Sequence, residues 1–398
     1  MQTVQELYSI YLKHPSIQTD TRKLKNGDLF FALKGPSFNG NHFAQYAIEK
    51  GAQYVIVDEL APSLEGNPKV LLVEDVLQSL QQLALLHREH LNIPFLAITG
   101  SNGKTTTKEL IYAVLSAQYK TVATSGNLNN HIGVPLTILS IPNDTEIAII
   151  EMGANHLLEI ASYCEIALPT HAIINNCGKA HLEGFGSLEG VKKAKGELYD
   201  FIRATDGMIF INNDLDYLQE MSKGILHRET YGTVNAQVIG KDISDNPFLK
   251  LAVLSSGLET TIQTQLIGSY NLPNILAAIA VGNYFKIPID TIKASLEAYA
   301  PNNSRSQLII TAKNNTIILD AYNANPSSME LAIRNFAQMN SNSKILLLGA
   351  MKEMGKDSDE EHQKVIALCQ SLQLDQVFLV GSEFNTNQTQ HNYLQFCI

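Results

Sequence analysis

A five-residue apolar stretch, Phe95–Thr99, runs without interruption into Gly100-Ser-Asn-Gly-Lys-Thr-Thr-Thr107 and then into residues with helical spacing. No other part of the chain restricts the fold as much. A buried strand, a turn with two glycines and a helix must follow one another directly. The glycines let the turn fold so that successive N–H groups converge on one point. The helix start adds the positive end of its dipole. This is a receptor for phosphate oxygens, and the candidate nucleotide contacts are Gly100, Ser101, Asn102, Gly103, Lys104, Thr105 and Thr106. Lys104 is spaced to reach the β- and γ-phosphates, and Thr105 to offer its hydroxyl to Mg²⁺. The pattern G-x-x-x-x-G-K-[ST] is not met in full, because Ile98 stands five before Gly103 and the early glycine is Gly100. The alternative is a glycine-rich turn that only caps a helix.

Short apolar strands alternate with helices on both sides of this turn. Residues 28–33, 54–58 and 69–73 read as strands, and 41–50 and 76–90 as helices. Asn92-Ile-Pro94 punctuates the chain. Beyond it, strands are expected at 95–99, 148–151, 171–175 and 208–212, with helices at 105–117, 271–284 and 289–299. After a polar stretch at 301–306 come strands at 307–311, 316–320, 344–348 and 377–380, and helices at 328–338 and 360–372. The alternation predicts an α/β protein of three domains, 1–91, 92–300 and 301–398, the central one on a mostly parallel sheet covered on both faces and the last a Rossmann-like α/β unit. The tail 386–398 is polar and shows no pattern.

Composition narrows the class. Against 29 Lys and Arg stand 39 Asp and Glu, a formal charge of −10, which argues against nucleic-acid binding. Cys164, Cys177, Cys369 and Cys397 have neither metal-ligand nor disulfide-framework spacing, so a reducing compartment is expected. The first residues lack a basic-then-apolar leader pattern, and no apolar run approaches the roughly 18 residues of a membrane helix. The expectation is a cytoplasmic protein without membrane insertion.

Three further residues are candidates for chemistry. Glu151 ends an apolar strand, and in open parallel sheets ligands bind beyond the carboxyl ends of strands. A carboxylate there suits Mg²⁺. It equally suits a cap on the next turn. His181 follows the strand at 171–175, where a plain polar loop residue is as good a reading. Lys195 reads as a solvated helix residue, and chemistry alone does not select it over Lys192 or Lys193.

Taken together, TGSNGKTTTKE, EMGANHLLEI, AHLEGFGS with the following AKGEL, and SYNLPNILAA resemble the Mur ligases, the ATP-dependent enzymes that form the amide bonds of peptidoglycan. The likeness runs from about residue 17 to 384. DTR at 20–22 with GDLFFAL at 27–33 looks like the family's UDP-sugar-binding domain, which implies substrate contacts at Thr21 and Arg22. DAYNANPSSM at 320–329 resembles the signature of members that join D-alanyl-D-alanine to a UDP-N-acetylmuramoyl-tripeptide. The resemblance implies catalytic roles for Lys104, Glu151, His181 and Lys195, and two Mg²⁺ ions held by Thr105, Glu151, His181 and Lys195. Lys195 matches a lysine carbamylated by CO₂, a reaction that needs an uncharged amine, which burial favours. Asn271 matches an adenine contact, and Arg305 and Asp320 match nucleotide contacts from the third domain. Asn323, Asn325 and Ser327 are assigned to the dipeptide, and Asn127 and Asn130 to a substrate loop. A monomer is expected.

Two departures stand out. Ala350 takes a position that is often acidic, and the chain past Phe384 does not read as the helix and basic, serine-containing strand that the resemblance implies. A third domain short of its last elements is the expectation. Other readings stay open: another Mur step, a folylpolyglutamate synthase, or a nucleotide-binding relative that ligates nothing.

Overall fold

The computed structural model describes residues 1–384 except 246, 256, 342 and 373, and the backbone of Tyr393–Phe396. Two compact units are distinguished: 1–97 with 120–153 and 161–170, and 98–119 with 154–160 and 171–398.

The first unit begins with the helix Val4–Tyr11, closed at its start by a reciprocal Thr3–Glu6 capping box. Sequence reading assigned nothing there. Ile17–Gln18, Leu29–Phe31, Tyr54–Val57 and Val70–Leu72 form a four-stranded parallel sheet in that order. Phe30, Ala32, Val55 and Val57 pack with Ala44, Ala47 and Leu64 into its core. The strand Ile147–Glu151 pairs in parallel with Thr121–Ala123. Both of its faces are covered, as its unbroken apolar sequence requires.

In the second unit the sheet order runs Leu258–Ile267, Phe248–Ser255, Val238–Asp242, His227–Gly232, Met208–Asn212, His171–Ile174 and Phe95–Thr99, the last strand being common to both units. Pairing is parallel from His171 to Val238 and antiparallel over the last two strands. The four strands between 227 and 267 escaped sequence reading. Phe248–Ser255 alternates buried and more exposed residues and His227–Gly232 is exposed at His227 and Arg228, so both carry a weaker signal than a continuous apolar run. The helices Lys104–Leu115 and Leu272–Tyr284 pack against each other, with Gly282 at the closest approach to Val114.

In the third segment, Gln307–Ile310 and Thr316–Leu319 form an antiparallel pair, and Ile345–Gly349, Gln376–Val380 and Tyr393–Phe396 a parallel sheet. The last strand corrects the reading of the tail as unpatterned: four residues of it pair with Val377–Val380. The rest of that tail, with Cys397, lies outside the described residues. Among the described residues no helix is long and apolar enough to cross a membrane.

One buried cation anchors the first unit. The Arg88 guanidinium donates to the carbonyls of Ala167 at 2.7 Å, Leu91 at 2.7 Å and Leu168 at 2.9 Å, and stacks 3.8 Å above the Phe95 ring. Burial pulls its pKa down to about 10, which leaves it charged at neutral pH. Arg88→Met keeps the apolar stem and leaves three carbonyls without their donor. The expected loss of stability is about 3 kcal/mol, read as a lower urea midpoint by circular dichroism; an unchanged midpoint refutes the anchoring role.

Candidate active site

Two glycines make the phosphate turn possible. Gly100 has φ +147°, and a Cβ on it would stand 3.0 Å from Asn175 Cβ and 3.2 Å from the backbone nitrogens of Asn175 and Asn176. Gly103 has φ +80°, and a Cβ there would lie 2.6 Å from Asn274 Oδ1. Only glycine fits both positions. The turn is gripped from one side by the segment after His171–Ile174. Ser101 donates its N–H to Asn176 O at 2.9 Å, and Asn102 its N–H to Asn176 Oδ1 at 3.0 Å. Asn176 Nδ2 donates back to Asn102 O at 3.1 Å, and the Gly178 N–H to Ser101 Oγ at 2.9 Å.

Lys104 Nζ donates to the carbonyls of Gly100 at 2.7 Å and Ser101 at 3.3 Å, so its charge lies over the turn. Thr105, on the first turn of its helix, is buried. Below it Thr107 Oγ1 accepts from Asn175 Nδ2 at 2.6 Å and donates to Asn274 Oδ1 at 3.1 Å. Asn274 Nδ2 continues the chain to Asn271 Oδ1 at 3.0 Å, and Asn271 Nδ2 reaches Ile267 O at 2.9 Å. Asn271 is therefore buried with both ends of its carboxamide engaged, and an adenine contact would use the second amide hydrogen or the second oxygen lone pair.

Glu151, in the first unit, is 1% exposed. Its Oε1 accepts from Asn129 Nδ2 at 2.8 Å, while Oε2 is buried without a hydrogen-bond partner. A buried carboxylate oxygen left unpaired carries a desolvation cost that a hard cation could offset. In the neighbouring loop, Asn127 is exposed and Asn130 Oδ1 accepts from the N–H groups of Ile132 and Gly133, just before the helix Gly133–Leu139. Asn129, between the two expected residues, is the one that touches Glu151; sequence reading did not single it out. Arg22 is exposed and chelates Asp20, whose carboxyl it holds down at about 2; Thr21 lies between them.

Lys195 is 2% exposed, whereas Lys193 is exposed and Lys192 pairs with Glu189 at the surface. Burial, reinforced by the charge of Lys104, pushes the Lys195 pKa down to about 7. Its Nζ donates to Ala154 O at 3.3 Å and lies 5.2 Å from the Phe185 ring centre. A signal for it existed. The buried stripe of its helix is Val191, Ala194, Lys195, Leu198, Tyr199 and Ile202, and helical spacing puts Lys195 on that stripe. His181 holds a left-handed backbone, φ 50°, at the start of the helix Leu182–Phe185, and its Nδ1 bonds Glu353. Burial lowers its pKa and the Glu353 carboxylate opposes that.

The third segment reaches this same region. Asn325 Nδ2 donates to Asn102 Oδ1 at 2.7 Å, Ser327 Oγ accepts from the Lys179 N–H at 3.2 Å, and Lys179 Nζ pairs with the buried Glu361 at 2.8 Å. Asn323 is exposed and bonds only its neighbour's N–H, Ala324, among the contacts described. Arg305 stacks 3.8 Å over Tyr322, and Asp320 Oδ1 accepts from the Ser306 N–H at 3.2 Å. Glu353, Glu361 and Lys179 were absent from the sequence reading, because each is defined by a partner far along the chain.

Three family models match in chain order: the Mur ligase family catalytic domain over 15–88, the Mur ligase middle domain over 98–282, and the Mur ligase glutamate ligase domain over 304–394. The UDP-N-acetylmuramoyl-tripeptide–D-alanyl-D-alanine ligase of Bacillus subtilis is 38% identical over 367 residues, covering 92% of this chain and 79% of that protein. The crystal structure of MurF from Acinetobacter baumannii aligns with TM-score 0.87 at 31% identity, covering 96% of this chain and 84% of that one. The MurF ligase of Thermotoga maritima in complex with ADP aligns with TM-score 0.85 at 25% identity, covering 99% and 89%. A two-glycine turn clamped by Asn176, a buried carboxylate with an unpaired oxygen and a buried lysine thus lie within a chain that matches one family along nearly its whole length: it belongs to the Mur ligases.

Proposed function

We propose that the chain joins D-alanyl-D-alanine to UDP-N-acetylmuramoyl-tripeptide at the expense of ATP, in peptidoglycan synthesis. The observation that carries this is the turn Thr99–Thr107, clamped by Asn176 and overlaid by the Lys104 ammonium. The names of the relatives support the choice of substrates. The three domains are read as 1–91 for the UDP-sugar, 92–300 for ATP and 301–398 for ligation, and one family match falls within each. A cytoplasmic monomer completes the reading.

The terminal carboxylate of the tripeptide attacks the γ-phosphorus, giving an acyl phosphate and ADP. The amine of D-alanyl-D-alanine then attacks the acyl carbon, and phosphate leaves. The protein contributes positioning and charge stabilisation. Lys104 exchanges its carbonyl partners for phosphate oxygens and offsets their charge. Gly100, Ser101, Asn102, Gly103, Thr105 and Thr106 surround the phosphates. Asn271 contacts adenine, and Arg305 and Asp320 contact the nucleotide from the third domain. Thr21 and Arg22 serve the UDP moiety, Asn127 and Asn130 the tripeptide, and Asn323, Asn325 and Ser327 the dipeptide region.

The donor set fits Mg²⁺. Glu151 offers a buried oxygen with no hydrogen-bond partner, a hard ligand. When bound, Mg²⁺ neutralises charge at the transferring phosphoryl group. His181 and a carbamylated Lys195 are assigned to a second ion. The Lys195 amine is half neutral near pH 7, which supports carbamylation.

Three outcomes are expected. Lys104→Ala lowers tripeptide-dependent ADP formation by at least about 100-fold in a protein whose circular dichroism is unchanged; wild-type turnover would show that the phosphate assignment is wrong. Glu151→Gln removes a buried charge without changing shape. Its melting temperature should equal or exceed that of the wild type, while the Mg²⁺ needed for half-maximal ADP formation rises severalfold; an unmoved Mg²⁺ curve removes Glu151 from the metal. Carbamylation consumes neutral amine, so its extent falls as pH drops through about 7 and recovers with added bicarbonate. Native mass spectrometry reads the adduct on Lys195, and ADP formation should follow it; equal adduct and rate with CO₂ removed or supplied would exclude the modification.

A further inference from the structure

Asn325 performs two jobs with one carboxamide. Its Oδ1 accepts from the Ser328 N–H at 2.9 Å and caps the helix Pro326–Gln338, reciprocated by Ser328 Oγ, which accepts from the Asn325 N–H at 3.2 Å. Because a backbone N–H fixes Oδ1, the amide orientation is determined and Nδ2 must point the other way. It donates to Asn102 Oδ1 at 2.7 Å, on a turn 223 residues earlier in the chain. Asn325 is 7% exposed and its partner Asn102 half-buried, so this bond is partly withdrawn from water. Asn102 is itself fixed, its N–H and C=O held by Asn176. The residues on either side, Asn323 and Ser327, belong to the segment assigned to the incoming amine.

We propose that Asn325 is a positioning residue that registers the dipeptide segment on the phosphate turn, so that the acyl phosphate forms within reach of the amine. This rests on the ligase reading above. In a reaction with a hydrolysable intermediate, poor registration leaves acyl-phosphate formation in place but lets water compete with the amine. The signature of lost registration is therefore ADP released without amide, not a uniform fall in rate.

Asn325→Ser tests this, because serine caps a helix as well as asparagine does but is too short to reach Asn102. The neighbouring Ser327–Lys179 and Lys179–Glu361 contacts remain. The expected result is an unchanged melting temperature, an ADP-to-amide ratio raised about fivefold, the factor carried by one net hydrogen bond, and a raised KM for D-alanyl-D-alanine. Asn102→Ser approaches the same bond from the other side and should raise the ratio alike, and the double variant should be no worse than either single one. A ratio equal to the wild type in both variants, or additive losses in the double variant, overturns the proposal. Wild-type protein that makes no amide from tripeptide, dipeptide and ATP overturns the ligase reading instead.

Discussion

The site is organised by one close approach: the backbone of the phosphate turn runs against the strand end at Asn175 and Asn176 with no room for a Cβ on Gly100. Packing of this kind is intolerant, since a methyl at 3.0–3.2 Å from backbone and Cβ atoms needs the strand itself to move. The approach brings the Asn176 backbone and side chain into bonding range of Ser101 and Asn102. It also fixes where the following residues go. Gly178, Lys179 and His181 leave the turn in the direction from which Ser327, Glu361 and Glu353 meet them. The tight approach at Gly100 thus bears on which groups of the third segment meet the residues after Asn176.

Asparagine dominates this region for a physical reason. Asn102, Asn175, Asn176, Asn271, Asn274 and Asn325 each link two chain segments, and a carboxamide can donate and accept at once without adding charge. Near a triphosphate, carboxylates would repel the ligand and extra cations would compete with Lys104. Neutral links leave the electrostatics to a few residues. The exception to full pairing is the buried Asn175 Oδ1, a cost tolerated beside the turn.

The sequence made the framework legible where periodicity was strong. The helix Val76–His90 and the strands Phe95–Thr99 and Met208–Asn212 have the bounds that their apolar patterns predict. Phe248–Ser255 was hidden by alternation, His227–Gly232 by its polar first half and Tyr393–Phe396 by the polar stretch before it. Within the site, the turn announced itself through local spacing. Glu151 could be named from its strand, but its unpaired oxygen and its bond to Asn129 depend on how two loops fold. Lys195 was selected by resemblance, although the buried stripe of its helix held the same information. Asn325 looked like a ligand residue; only the fold shows both ends of its amide engaged.

Charge ties the remaining residues together. Lys104 disfavours the protonated form of Lys195, as burial does. A carbamate on Lys195 would reverse the sign of that interaction, since the same ammonium that repels a cation attracts an anion. In the ligase reading Lys104 therefore favours modification twice, by releasing the proton and by attracting the product. In the same reading, phosphates at the turn would neutralise Lys104 and withdraw this help. His181 feels the same field: burial, Lys104 and Lys195 resist its protonation, and the Glu353 carboxylate opposes them.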